Sequence, residues 1–132
     1  MPRKQQSSKL KVSESDVQRA VVDMLALDGW RPLRTNPVSN KARGAGFGEV
    51  GMPDYLFIRY KENHTKIPGL YDGWAQVLWV EFKAPGKQLQ PHQVQWHSQE
   101  GRRGALIFVV DDAVRFRETY KTCGLVRNTI LS

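Results

Sequence analysis

The run Val77-Leu78-Trp79-Val80-Glu81-Phe82-Lys83 constrains this chain more than any other stretch. An apolar and aromatic segment that ends in two charges reads as a central strand, buried on both faces until its C-terminal end. Strand alternation puts Glu81 and Lys83 on one face with Val77 and Trp79, and Leu78, Val80 and Phe82 on the other. A carboxylate and an ammonium therefore emerge side by side, roughly 7 Å apart along the backbone at about 3.3 Å per residue. Charges placed there are costly unless something pairs with them or uses them.

Upstream lies Gly51-Met52-Pro53-Asp54, followed by the apolar run Tyr55-Leu56-Phe57-Ile58. Proline suits the first position of a strand, where no ladder donor is needed, so Asp54 should open a second strand. Antiparallel pairing would bring the start of this strand to the end of the central one, beside Glu81 and Lys83.

The pattern G-x-P-D, then E-x-K at the end of an apolar strand, resembles the signature of the PD-(D/E)XK nuclease superfamily. Within it the chain looks most like the VRR-NUC family. Glu14, Val17 and Gln18 match that family's opening E-x-x-I-Q, and Arg34-Thr35-Asn36 matches its R-x-N. Leu89-Gln90-Pro91-His92-Gln93 ends on its glutamine after E-x-K. The resemblance spans roughly residues 13–112. Two features depart from it without touching the matched positions: residues 61–74 are longer than a minimal hairpin, and Pro91 is unusual.

The resemblance implies a restriction-endonuclease-like core and a metal-dependent DNA endonuclease. Mg²⁺ or Mn²⁺ would be held by Asp54, Glu81 and the backbone carbonyl of Phe82, with Glu14 in or behind the site. Lys83 would orient or deprotonate water and stabilise developing negative charge, and Gln93 would act beside it. Stand-alone members of this size resemble junction-resolving DNA-repair enzymes, homodimers acting on branched DNA such as four-way (Holliday) junctions. A dimer suits that task, because one site cuts one strand and a junction needs two symmetric cuts. On the residues alone, Glu14 reads equally as a first-turn acid serving the helix dipole, and Gln93 as a solvated helix glutamine.

Charge points to the same class of partner. Twenty basic against 13 acidic residues give a net charge of +7, and residues 1–11 hold Arg3, Lys4, Lys9 and Lys11 with no acid. Such a balance favours polyanions, nucleic acid first. The expected DNA contacts are Arg34, Asn36, Lys41 and Arg43 in and before the glycine-rich loop of residues 37–51, then Lys87, Arg102 and Arg103. The alternative is a non-catalytic basic DNA-binding module on the same fold. Asp54, Glu81 and Lys83 argue against it, since a pure binder gains nothing from acids facing phosphates.

Residues 1–12 read as a flexible basic arm and residues 13–132 as one domain. The single cysteine, Cys123, leaves no intramolecular disulfide and fits a reducing compartment. The sequence has no apolar run of about 18 residues, and its basic start lacks an apolar segment behind it. A soluble intracellular protein with no membrane partner is expected, in the cytoplasm of a bacterial or phage-infected cell.

The element order follows from caps and periodicity. Ser13 should cap a helix reaching Asp28 and Gly29, with Val17, Val21, Met24 and Leu25 as its apolar stripe. Strands are expected over residues 30–35, 54–60 and the central run. Ala84-Pro85-Gly86 breaks the chain, and a helix starts near Pro91, reaching about Glu100, with Val94 and Trp96 or His97 facing the sheet. A buried strand over 105–110 and a helix over 113–122, packing through Val114, Phe116, Thr119 and Tyr120, complete the order αβββαβα. That order describes an α/β fold, a mixed sheet flanked by helices.

Overall fold

Capping chemistry sets where the helices start. In the computed structural model, which describes residues 12–35, 48–61, 67–70 and 73–128, helix α1 (Glu14–Leu27) opens on Ser13. The Ser13 hydroxyl accepts from the Asp16 N–H at 3.1 Å, and the Asp16 carboxylate accepts from the Ser13 N–H at 3.0 Å. Such a reciprocal box contributes on the order of 1 kcal/mol. Helix α2 (Pro91–Arg102) begins on proline, whose missing N–H has no helical partner at that position anyway. Helix α3 (Ala113–Thr122) is capped by Asp112, whose carboxylate accepts from the Arg115 N–H at 2.9 Å.

Strands β1 (Arg31–Arg34), β2 (Tyr55–Lys61), β3 (Trp74–Phe82) and β4 (Ile107–Val110) form one sheet in the order β1-β2-β3-β4. The β1–β2 and β2–β3 pairs are antiparallel, with Tyr55 opposite Val80 and Phe57 opposite Leu78. β3 and β4 are parallel, and α2 is the crossover such a pair requires. The fold is thus mixed α/β, with the expected αβββαβα order.

Leu78, Val80 and Phe82 join Phe57 and Val110 in packing against Val17, Val21 and Leu25 of α1 and Phe116 and Tyr120 of α3. The other face carries Trp79 and Glu81 and lies under α2, where the Trp79 and Trp96 rings meet edge to face at 5.0 Å. Two helices therefore cover one face and one helix the other. This asymmetry corrects the expectation that β3 is buried on both sides until its end. Trp74 is 62% and Val77 42% exposed, and enclosure begins only at Leu78, because α2 sits over the C-terminal half of the strand.

Three smaller expectations change for similar reasons. β4 starts at Ile107 rather than residue 105, and as an edge strand it leaves Val109 about half exposed. On α2, Trp96 and His97 turn inward while Val94 faces solvent. On α3, Phe116 and Tyr120 are the fully buried packing residues, four apart, with Ala113 partly buried against the same core, while Val114 and Thr119 are exposed.

A buried polar cluster closes the opposite end of the sheet from Glu81. Asp28, which ends α1, holds Arg59 of β2 through a 3.1 Å ion pair, and the Tyr120 hydroxyl donates to the same carboxylate oxygen. Trp30 Nε1 donates to the Tyr120 hydroxyl oxygen at 2.8 Å, and the Arg59 guanidinium lies 4.3 Å over the Trp30 ring. The backbone N–H groups of Arg127 and Asn128 also donate to Asp28. Burial, with the Asp28 hydrogen bond, pushes the Tyr120 hydroxyl up to about 12. Among the described residues no helix is long and apolar enough to cross a membrane.

Candidate active site

The β2–β3 register carried one residue further sets Asp54 across from Glu81. Thr35, buried after β1, holds this start of β2 from two directions. Its hydroxyl donates to the Pro53 carbonyl, and its N–H donates to the Asp54 carbonyl at 3.0 Å. With its backbone fixed, the Asp54 carboxylate accepts from the Phe82 N–H at 3.0 Å. The next N–H, of Lys83, turns the other way to the Val110 carbonyl at 2.9 Å. A strand residue's carbonyl leaves on the side of its own N–H. The Phe82 carbonyl therefore faces the side on which Asp54 stands.

Glu81 is 2% exposed and Asp54 partly buried, and their carboxyl groups lie close enough for each to influence the other's titration. Burial first, then the hydrogen bond and charge of Glu81, push Asp54 up to about 7. Burial also raises Glu81, although its hydrogen bond with Asp54 and the charge of Lys83 work the other way. Both acids are therefore harder to ionise than free carboxyls, and each opposes the ionisation of the other. Lys83 is half-buried, and its charge is felt at Asp54, Glu81 and His97.

Helix α2 supplies the outer wall. Gln93 Nε2 donates to Glu81 Oε1 at 3.1 Å, while its Oε1 accepts from the Gln90 N–H at 2.8 Å, so one side chain caps the helix and grips the acid. One turn on, His97 Nε2 lies 3.8 Å from the same oxygen, beyond hydrogen-bond distance. Burial, and then Lys83, hold the imidazole below its ordinary value, so it is neutral at pH 7 and the contact is not an ion pair. The sequence offered His97 only as a sheet-facing residue. Its four-residue spacing from Gln93 was the available signal.

The loop before Asp54 is tied to this helix. Trp96 Nε1 donates to Glu49 at 2.9 Å, and Gly51, at φ 87°, packs so closely on α2 that a Cβ there would lie 2.2 Å from the His92 carbonyl oxygen. The glycine of G-x-P-D is therefore required by a close approach as well as by its backbone conformation.

The structure brings Asp54, Glu81, Phe82, Lys83 and Gln93 together. Glu14 is exposed at the start of α1, and its effect on Glu81 is coulombic. Gln18, next in the same match, donates to the Tyr55 hydroxyl at 3.1 Å, one residue from Asp54. Arg34 lies exposed at the end of β1, its guanidinium 5.9 Å from the Tyr55 ring centre. Lys87 is exposed in the turn after β3. Arg102 and Arg103 stand at the far end of α2, more than a turn beyond His97, with Arg103 3.9 Å from Glu100. Asn36, Lys41 and Arg43 lie outside the described residues.

Among the described residues no three His, Cys, Asp or Glu side chains gather as a metal cluster. The donor set that does converge is two carboxylates and one carbonyl, all hard oxygens. It fits a small divalent cation such as Mg²⁺, which keeps several of its own waters and takes few protein ligands. No protein-family model matches the chain, and no curated protein matches its sequence.

Proposed function

We propose that this protein is a metal-dependent DNA endonuclease with the PD-(D/E)XK core, hydrolysing phosphodiester bonds at the end of β3. The observation that carries this reading is the Asp54–Glu81 pair: two acids on facing positions of β2 and β3, both raised by burial, beside a lysine. Two buried carboxylates oppose each other's ionisation, and a structural pair would gain by losing one of them. They are an asset where a cation is to be held. Asp54, Glu81 and the Phe82 carbonyl would hold Mg²⁺ or Mn²⁺, which when bound supplies charge neutralisation at the phosphoryl oxygens.

The chain's own residues do the rest. Glu81 is kept in place by the Gln93 amide, and Asp54 by the Phe82 N–H and the Thr35 clamp. Lys83 holds water near the phosphorus and stabilises negative charge developing on the phosphoryl group. The net charge of +7 favours binding of a polyanion. By the VRR-NUC resemblance we extend the reading to branched DNA cut by a symmetric dimer.

The test is direct. Purified protein is incubated with labelled linear, flap and four-way DNA in Mg²⁺, Mn²⁺ or EDTA. Cleavage in either metal, lost in EDTA and in Glu81→Ala and Lys83→Ala proteins that still fold, is the expected result. Binding without cleavage in any metal would favour the non-catalytic module instead.

A further inference from the structure

Two side chains of α2 face Glu81, and one of them is left unsatisfied. Gln93 Nε2 reaches Glu81 Oε1 at 3.1 Å. His97 Nε2 stops 3.8 Å from that oxygen, and among the described residues it has no hydrogen-bond partner although its side chain is only 11% exposed. A buried polar atom left unpaired costs about 1–3 kcal/mol. Such an atom in a native structure calls for an explanation, and a role in the site beside it is one.

The ring has little freedom to find a different partner. It follows Trp96, which is locked against Trp79 and tied to Glu49, and it approaches the Trp96 ring edge to face at 6.2 Å. Nε2 is therefore held pointing at Glu81, about 0.9 Å beyond the ordinary 2.9 Å of a hydrogen bond. Closing that gap takes a relative movement of under an ångström. Carboxylates that hold cations are themselves held from behind by such donors.

We propose that His97 is a positioning residue for Glu81: its Nε2–H closes on Glu81 Oε1 when a divalent cation is taken up by Asp54 and Glu81. Gln93 and His97 then form a two-donor cradle on one oxygen and leave the other for the cation. The inference rests on the metal-site reading given above. It assigns His97 no contact with DNA or with the reacting atoms.

The experiment is calorimetric titration of Mn²⁺, without DNA, into the wild type, His97→Leu and His97→Gln, together with melting of each metal-free protein. His97→Leu should weaken Mn²⁺ binding by about 10–100-fold. Its metal-free form should melt no lower than the wild type, because it removes an unpaired buried nitrogen. In His97→Gln the amide nitrogen stands near the place of Nε2, so its affinity should stay within about 3-fold of wild type. Wild-type affinity in His97→Leu overturns the proposal, as does a His97→Gln protein as weak as His97→Leu. A His97→Leu protein too unstable to assay would mark a structural role and overturn it too. If the wild type itself takes up no Mn²⁺, the metal-site reading fails and carries this inference with it.

Discussion

At the scale of single residues, Asp54 is where structure and chemistry pull in opposite directions. Its carboxyl titrates near 3.8 in a free chain and near 7 in the fold. Between those values the folded protein holds a proton that the unfolded chain has released. The contribution of this group to stability is therefore greatest at low pH, falls as pH rises from about 4 to about 7, and stays at its minimum above. Asparagine cannot ionise, yet it keeps an acceptor for the Phe82 N–H and gains a donor for Glu81. Asp54→Asn should accordingly stabilise the metal-free protein at pH 8 by about 1–2 kcal/mol, the full shift being discounted for partial exposure. The gain should fade to nothing near pH 4, as read by urea unfolding across pH. The same protein should lose metal-dependent cleavage while binding DNA in EDTA as tightly as wild type or tighter, since one negative charge facing phosphate is gone. A stability gain that did not change with pH would mean that the fold does not raise Asp54.

Elements matter here because α2 connects the loop before β2 to the acid at the end of β3. Gly51 touches the helix backbone at His92, and the very next residue of α2 is the one that grips Glu81. Gly51→Ala should therefore do two things at once. Overpacking and an unfavourable φ should cost about 2–4 kcal/mol, measured as a lower melting temperature. Displacing α2 should also slow cleavage at temperatures where the variant is still folded; a full-rate variant would uncouple the helix from the site. The motif that revealed this arrangement in the sequence is local. G-x-P-D and E-x-K lie at the ends of apolar runs, and antiparallel pairing converts those positions into a meeting of Asp54 and Glu81. Ser13 marks a helix start just as clearly, because a cap acts over three residues. What stayed hidden depends on layers rather than on neighbours in sequence. The exposure of Val77 follows from how much of β3 the single helix α2 covers, and the burial of His97 from Trp96 seating on Trp79. Neither is encoded in a short window.

At the scale of the whole molecule, the two ends of the sheet have different tasks. Glu81 and its partners occupy one end, and Asp28 with Arg59, Tyr120 and residues 125–128 seals the other. No sequence pattern announces that second cluster, since its members lie 31, 92 and about 100 residues from Asp28. Asp28→Ala would leave the Arg59 charge buried and unpaired, at a cost of about 3–5 kcal/mol, a large share of a small domain's stability. Urea unfolding should report that loss, while cleavage by the fraction still folded in the cold should stay near wild type. Binding to DNA also belongs to this scale. Deleting residues 1–11 removes four cations and should flatten the plot of log affinity against log salt by about 0.9 for each phosphate that is no longer neutralised. An unchanged slope would mean that this segment does not touch DNA. The Asp28 clamp also decides what must be in place before the fold closes. Two of the donors to its buried carboxylate come from Arg127 and Asn128, beyond α3, so the end of α1 and β2 are not fully paired until the segment after α3 has folded back across them. Removing residues 125–128 would spare Asp54, Glu81 and α2 while leaving the buried Asp28 short of donors, so the truncated protein should unfold at lower urea.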